Sequence, residues 1–194
     1  MTDWESCYQE DNLPWNRNVP SPPLTEWVRK HRPKGRALVP GCGLGHDVVM
    51  LVDAGVEALG LDISPTAIDR AEALYPAYRD SLVRGDLFDL PKYWLGTFDY
   101  VFEHTCLSGM PPEYRPKYRD AIASALKLGG LLAGVWYINP DMDPGEAGPP
   151  FGISIPELEQ LFSGWEIVED YVPQNSFEGR QGRERVRVLK RAAV

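Results

Sequence analysis

The sequence predicts an α/β fold built on a parallel sheet covered by helices on both faces. Three observations carry that expectation. Short apolar, β-rich runs alternate with helical stretches along most of the 194 residues. The runs at 37–39 (ALV) and 131–138 (LLAGVWYI) are continuously apolar, as strands buried on both faces are. Between them stand helix signals: a capping serine, a first-turn proline, a terminal glycine. The length suits one domain over residues 1–194.

The elements follow in order. In residues 1–23, Trp4, Tyr8 and Trp15 crowd a polar segment that ends VPSPP. Trp4 and Tyr8 are four apart and share a face if the piece is helical. Pro20, Pro22 and Pro23 mark an extended connection, and Leu24–His31 a short amphipathic helix. Ala37–Val39 is a strand, Asp47–Ala54 a helix closed by Gly55, and Val56–Leu61 the next strand. Ser64-Pro65 caps a helix to about Leu74. Ser81–Arg84 is a weak strand and Phe98–Phe102 a strong one. Pro112–Leu126 reads as a helix stopped by Gly129-Gly130. Leu131–Ile138 is a long strand, and Asn139–Gly152 is the longest loop, the length at which loops are often lids. Ser154-Ile155-Pro156-Glu157 has the form of a capping box for a helix to Phe162. Glu166–Val172 and Arg185–Lys190 close the sheet.

Composition narrows the partners. The net charge of −8 opposes a nucleic-acid backbone as ligand. The basic run from Arg180 to Arg191 reads as a solvated strand or loop. No apolar stretch nears the ~20 residues of a membrane span. The start, MTDWESCYQED, lacks the regions of a signal peptide. Cys7, Cys42 and Cys106 are far apart and form neither a disulfide framework nor a zinc pattern. The expectation is a cytoplasmic monomer with no metal, no nucleic acid and no membrane. Cys42 and Cys106 read as buried inert thiols rather than nucleophiles.

The stretch RALVPGCGLGHDVVMLVDAGVEALGLDIS, 36–64, carries the functional signal. Gly41, Gly43 and Gly45 form a turn after the first strand, where backbone can approach a ligand closely. Asp62 ends the second strand, 21 residues after Gly41. That spacing suits a carboxylate accepting hydrogen bonds from ribose hydroxyls. A dinucleotide fingerprint needs a small residue at position 46, which is His46; here the third glycine comes one residue early. A histidine there would crowd a pyrophosphate at the helix N-terminus. S-adenosylmethionine has no phosphate and fits the more open G-x-G-x-G turn. The rivals are a dinucleotide oxidoreductase and a catalytically silent Rossmann-like binding protein.

The segments LVPGCGLGHDV, GLDIS, GDLFDL, FDYVFEHTCLSGMPPEYRPKY, LKLGGLL and GPPFGIS fall in order. Together they resemble the thiopurine S-methyltransferase-like family of class I methyltransferases, closest to its thiol and halide methyltransferase branch. The resemblance implies a Rossmann-like, doubly wound seven-stranded sheet with the last strand antiparallel, and S-adenosylmethionine as methyl donor. It implies that residues 1–23 cover the cofactor through Trp4, Tyr8 and Trp15, where the family has tryptophan at the position of Tyr8. Gly41 would line the methionine end, Asp62 the ribose, and Asp86 and Leu87 the adenine. His104 would sit beside the sulfonium and the acceptor. The family's PWDxG reads PWNRN here, and its EHTCxCAI departs at Ser108-Gly109-Met110.

Methyl transfer from a sulfonium is an in-line displacement in which the protein supplies placement and electrostatics. An aromatic cover excludes water and offers cation–π contact; the alternative for the three aromatics is a clasp holding the N-terminus down. Glu103 and His104 are the candidates for orienting the acceptor or taking its proton. As strand neighbours they should face opposite ways. His104 reads as the substrate-side residue or as a cofactor contact, Glu103 as that or as a structural hydrogen bond to the N-terminal segment. Trp136, Pro149, Pro150 and Phe151 would form an apolar wall for a small soft nucleophile, or simply pack. Arg183 and Glu184 would fringe the site or belong to a charged hairpin.

Overall fold

The computed structural model describes residues 2–138, 140 and 148–192. Most of the loop expected at Asn139–Gly152 thus lies outside the described residues. Seven strands form one sheet: β1 (Arg36–Pro40), β2 (Glu57–Asp62), β3 (Leu82–Arg84), β4 (Phe98–His104), β5 (Leu126–Tyr137), β6 (Glu166–Tyr171) and β7 (Glu184–Lys190). Their order is β3-β2-β1-β4-β5-β7-β6. Pairings from β3 through β5 are parallel. β7 runs antiparallel to both β5 and β6, so the last strand alone is reversed.

The helices are α1 (Trp4–Gln9), α2 (Pro22–His31), α3 (His46–Asp53), α4 (Pro65–Leu74), α5 (Arg115–Ala125) and α6 (Ile155–Leu161). Each helical stretch of the sequence forms, with its own physical reason. Ser64 caps α4 by accepting from Ala67 N–H, and Ser154 and Glu157 complete the expected capping box on α6. Trp27 and Val28 of α2, Val48 and Leu51 of α3, and Ile68 and Ala71 of α4 pack on one face of the sheet. Tyr118 and Ile122 of α5 and Leu158 of α6 pack on the other.

Two local expectations need correction. Pro22 and Pro23 are not in an extended connection but in the first turn of α2, where a missing N–H costs nothing. Gly129-Gly130 is not a helix stop. α5 ends where Leu126 turns extended (φ −69°, ψ 143°), and the glycine pair lies inside β5. There Gly129, at φ +77°, absorbs an irregularity in the β4–β5 register. Gly129 N–H donates to Arg191 O and Arg191 N–H to Gly130 O, so the pair remains hydrogen-bonded to the residue that follows β7.

Strand order reverses between β1 and β4. In open α/β sheets the ligand crevice opens beyond the carboxyl ends of the strands at such a point. The turn after β1 is Gly41–Gly45 and the turn after β4 is Thr105–Met110.

Candidate active site

A cavity of about 630 Å³ opens at that end of the sheet. Gly41, from the turn after β1, contributes to its lining. Asp62 and Ile63 come from the end of β2, and Asp86 and Leu87 from the end of β3. Thr105 and Cys106 follow β4, and Tyr137 ends β5. Trp4, Tyr8 and Trp15 close it from the N-terminal segment.

The glycine turn is shaped by close approach. Gly41, Gly43 and Gly45 all have positive φ (59°, 53° and 80°), a region that side chains with a Cβ rarely adopt. A Cβ on Gly43 would stand 2.7 Å from Tyr8 Oη, and one on Gly41 3.1 Å from Cys106 Sγ. Gly43 N–H donates to Asp62 Oδ2 (2.8 Å) and Ser64 N–H to Oδ1 (3.0 Å). Asp62 is only 7% exposed, and burial raises its pKa against those two bonds. Gly43 and Gly45 do not line the cavity; they fix the turn, Gly45 as the residue before α3.

The N-terminal segment is held by polar bonds as well as by its aromatics. Glu5 accepts from Ser64 Oγ (2.6 Å), Thr66 Oγ1 (2.5 Å) and Thr66 N–H (3.2 Å). These donors hold its pKa down to about 2. Arg70 donates to Tyr8 O (3.0 Å) and Asp11 Oδ1 (2.7 Å). Tyr8 is buried with Leu44 and Ala67; burial and the nearby Asp62 carboxylate push its phenol well above the ordinary value. Trp15 meets Trp4 edge-on at 5.2 Å and Tyr8 at 6.0 Å. Trp4 in turn lies against Gly109, where a Cβ would come within 3.0 Å of its ring. The segment therefore bridges α4 and the turn after β4 across the cavity.

The candidate acceptor-side residues divide. Pro149 and Pro150 line the cavity, but Trp136 does not. Trp136 is buried on the opposite face, tilted against Phe162, with its N–H donating to Arg187 O (3.2 Å). Its strand neighbour Tyr137 takes the place on the wall, as alternation requires. Phe151 also lies off the cavity; its N–H donates to Ser108 O (2.6 Å), tying the loop's end to the turn after β4.

Glu103 and His104 face opposite sides of β4, and neither is on the cavity lining. Glu103 is fully buried towards α5, accepting from Tyr118 Oη and from Leu107 N–H (3.0 Å). Its structural bonds thus run to α5 and the turn after β4, not to the N-terminal segment. His104 faces α3: Nδ1 lies 2.9 Å from Asp47 Oδ2 and Nε2 3.4 Å from Arg180 Nη1. Burial would raise the Asp47 carboxyl, but the His104 ring and Ser21 N–H outweigh it and hold it below the usual range. Cys42 and Cys106 are free thiols that burial pushes well above their ordinary pKa, which leaves them without thiolate character.

Sequence reasoning missed Arg180. It is 6% exposed and lines the cavity. Its guanidinium lies 5.0 Å from the Tyr137 ring centroid and 5.7 Å from that of Phe177, and Nη1 pairs with Glu184 Oε1 (3.3 Å). In the sequence it is one more cation in a basic run; only packing singles it out.

The cavity fits S-adenosylmethionine. The turn admits backbone where a Cβ would clash, the buried Asp62 carboxylate lines the cavity at the end of β2, and Trp4, Tyr8 and Trp15 close it from the N-terminal segment. Comparison with known proteins agrees. The family model for thiopurine S-methyltransferase matches residues 1–192. Thiocyanate methyltransferase 1 of Arabidopsis thaliana is 31% identical over 192 residues, covering 94% of this chain and 82% of its own. A thiopurine S-methyltransferase of Vibrio campbellii is 25% identical, covering 84% and 82%. Among solved structures, the Burkholderia thailandensis 1,6-didemethyltoxoflavin-N1-methyltransferase with bound S-adenosylhomocysteine superposes with a TM-score of 0.74 at 17% identity, over 98% of this chain and 86% of that one; the likeness shows the shared fold. The chain belongs to the thiopurine S-methyltransferase family and is a methyltransferase whose methyl donor is S-adenosylmethionine.

Proposed function

We propose that the protein methylates small, soft, anionic nucleophiles: hydrosulfide and other thiolates, thiocyanate and iodide. One observation carries the reading. The two groups beside the strand end that could take a proton are both engaged elsewhere, Glu103 with Tyr118 and Leu107 N–H, His104 with Asp47 and Arg180. An acceptor that arrives already ionised needs neither. A phenol or an amine needs a dedicated base. A free thiol, with a pKa of about 8.5, supplies some thiolate near neutrality without one. The names of several relatives point the same way, to thiocyanate, thiols and thiopurines.

Bound at this site, S-adenosylmethionine supplies an electrophilic methyl group. The chain's own residues do the rest by placement. Asp62 takes the ribose hydroxyls, Asp86 and Leu87 flank the adenine, and Gly41 lets the backbone reach the methionine end. Trp4, Tyr8 and Trp15 exclude water and offer ring faces to a cation. That contact suits a charge which disappears during the reaction, because a carboxylate there would hold the ground state too well. Arg180 receives the acceptor's charge; both described polar contacts use Nη1 of a group with five N–H donors. Tyr137, Pro149 and Pro150 give an apolar wall that penalises strongly hydrated acceptors. Three dispersed free thiols suit a reducing compartment, and the reading includes a cytoplasmic location.

The test is a panel of acceptors offered with radiolabelled S-adenosylmethionine: hydrosulfide, thiocyanate, iodide, a thiopurine, a catechol and a primary amine. The expected result is turnover of the sulfur and iodide acceptors. Efficient methylation of the catechol or amine alone would overturn the acceptor class.

A further inference from the structure

We infer that His104 is a positioning residue rather than a proton acceptor: together with Asp47 it holds the Arg180 guanidinium in the cavity wall, where that cation meets an anionic acceptor. The inference rests on the acceptor reading above and names the parts that hold its cation in place.

The partners of the ring match one tautomer. A carboxylate only accepts, so Nδ1, 2.9 Å from Asp47 Oδ2, carries the proton. A guanidinium only donates, so Nε2, 3.4 Å from Arg180 Nη1, presents its lone pair. One neutral tautomer satisfies both contacts. The nitrogen that a base would use is therefore the one that faces Arg180.

The assembly is braced from several elements. Asp47, in the first turn of α3, is fixed by Ser21 N–H at the entry to α2 (2.7 Å). His104 ends β4. Glu184 opens β7, is buried, and draws on Arg180 through Oε1 (3.3 Å); its register partner on β5 is Tyr137, whose ring the guanidinium covers. Phe177 lies 6.1 Å from the His104 ring and 5.7 Å from the guanidinium carbon. Without the histidine acceptor, Arg180 keeps Glu184 as its polar tether among the described residues and settles toward it. The acceptor then meets a cation that has moved and is more fully neutralised.

The test compares His104→Gln, His104→Leu and Arg180→Leu in the full-length protein, with thiocyanate as acceptor. Glutamine can donate to Asp47 and accept from Arg180 at once; leucine can do neither. His104→Leu is expected to raise KM for thiocyanate about 10- to 100-fold, the scale of one charge-assisted hydrogen bond. Affinity for S-adenosylmethionine, read by calorimetry, should stay within about threefold, while His104→Gln restores most of the thiocyanate affinity. Arg180→Leu should match His104→Leu, and the double variant should lose little more, because the two act as a unit. If leucine at 104 prevents folding, His104→Asn, which reaches Asp47 but falls short of Arg180, takes its place. Glutamine as impaired as leucine would overturn the inference, because a donor and an acceptor placed together at 104 would then not be what holds Arg180. A raised KM in Arg180→Leu with none in His104→Leu would sink the inference and leave the acceptor reading standing. No change in either would sink the inference together with the assignment of Arg180 to the acceptor's charge, while the acceptor class itself is decided by the panel of acceptors.

Discussion

Removing the carboxylate of Asp62 should loosen the cofactor and little else. Its two oxygens each accept one backbone N–H, from Gly43 at 2.8 Å and Ser64 at 3.0 Å. A carboxylate offers about four lone-pair directions, so each oxygen retains one for a ribose hydroxyl. Hydrogen bonds to a charged acceptor contribute about 1.5–3 kcal/mol net, and two on one diol are not additive. Asp62→Ala should therefore weaken binding by about 1–3 kcal/mol, roughly a 5- to 150-fold rise in Kd. Asp62→Asn keeps one accepting oxygen and should fall between. The fold should survive, because losing two acceptors is offset by losing a buried charge whose desolvation is itself costly. The direction of the pKa shift adds a second readout. Burial raises the Asp62 pKa, and the protonated form loses charge as an acceptor. Wild-type affinity should thus begin to fall on acidification above the ordinary aspartate value of about 3.9, and the alanine variant should lack that dependence. Titration calorimetry with S-adenosylhomocysteine reads both effects. Unchanged affinity in a folded Asp62→Ala protein would refute the ribose assignment.

Two further predictions address the parts around the cofactor. Glu5→Ala should raise KM for S-adenosylmethionine several-fold by freeing α1 from Ser64 and Thr66. With a folded pKa of about 2, below the unfolded value, the Glu5 bonds are present above about pH 4.3 and lost as pH falls towards 2. Protease cleavage within residues 1–20 should therefore quicken in Glu5→Ala at neutral pH, and equal rates would remove the latch. Tyr118→Phe should leave a Glu103 oxygen buried without a donor and destabilise the fold by about 1–3 kcal/mol, roughly 2–4 °C of Tm per kcal/mol, with cofactor affinity intact. A Tm that does not move would mean that Glu103 is not the structural hub its burial indicates.

What the sequence discloses depends on how local the cause is. Caps, first-turn prolines and the glycine turn act within a few residues, so the helices, β1, β2 and the Gly41–Asp62 frame are legible. Alternation separates Glu103 from His104 correctly, because only their relative phase is needed. The same rule cannot say which of Trp136 and Tyr137 faces the cavity. That phase is set by the antiparallel register with β7, fifty residues on. Gly129-Gly130 imitates a helix stop because a bulge and a C-cap ask for the same positive φ. Arg180 is opaque for a related reason: its burial is made by Tyr137, Phe177 and Glu184, which the chain brings together only when folded.

The departures from the family's PWDxG pattern form a matched set. Asn16 Oδ1 accepts from Asn18 N–H (3.0 Å) and faces His46 Nε2 (3.2 Å), while Asn16 Nδ2 donates to Asn18 Oδ1 (2.9 Å). Asn18 sits at φ +57°, which asparagine tolerates better than most residues other than glycine. On its other side His46 Nδ1 meets Tyr75 Oη at 2.7 Å. Burial lowers the pKa of His46, so the ring is best served as a neutral donor to Asn16 and acceptor from Tyr75. An aspartate at 16 would instead favour the protonated ring that burial opposes. A neutral histidine and a neutral asparagine suit one another, and they fix the loop that carries Trp15 against the start of α3. His46 occupies the place where a dinucleotide fingerprint needs a small residue. Here that helix start is turned to holding the aromatic cover, a task open to it only because the ligand brings no phosphate.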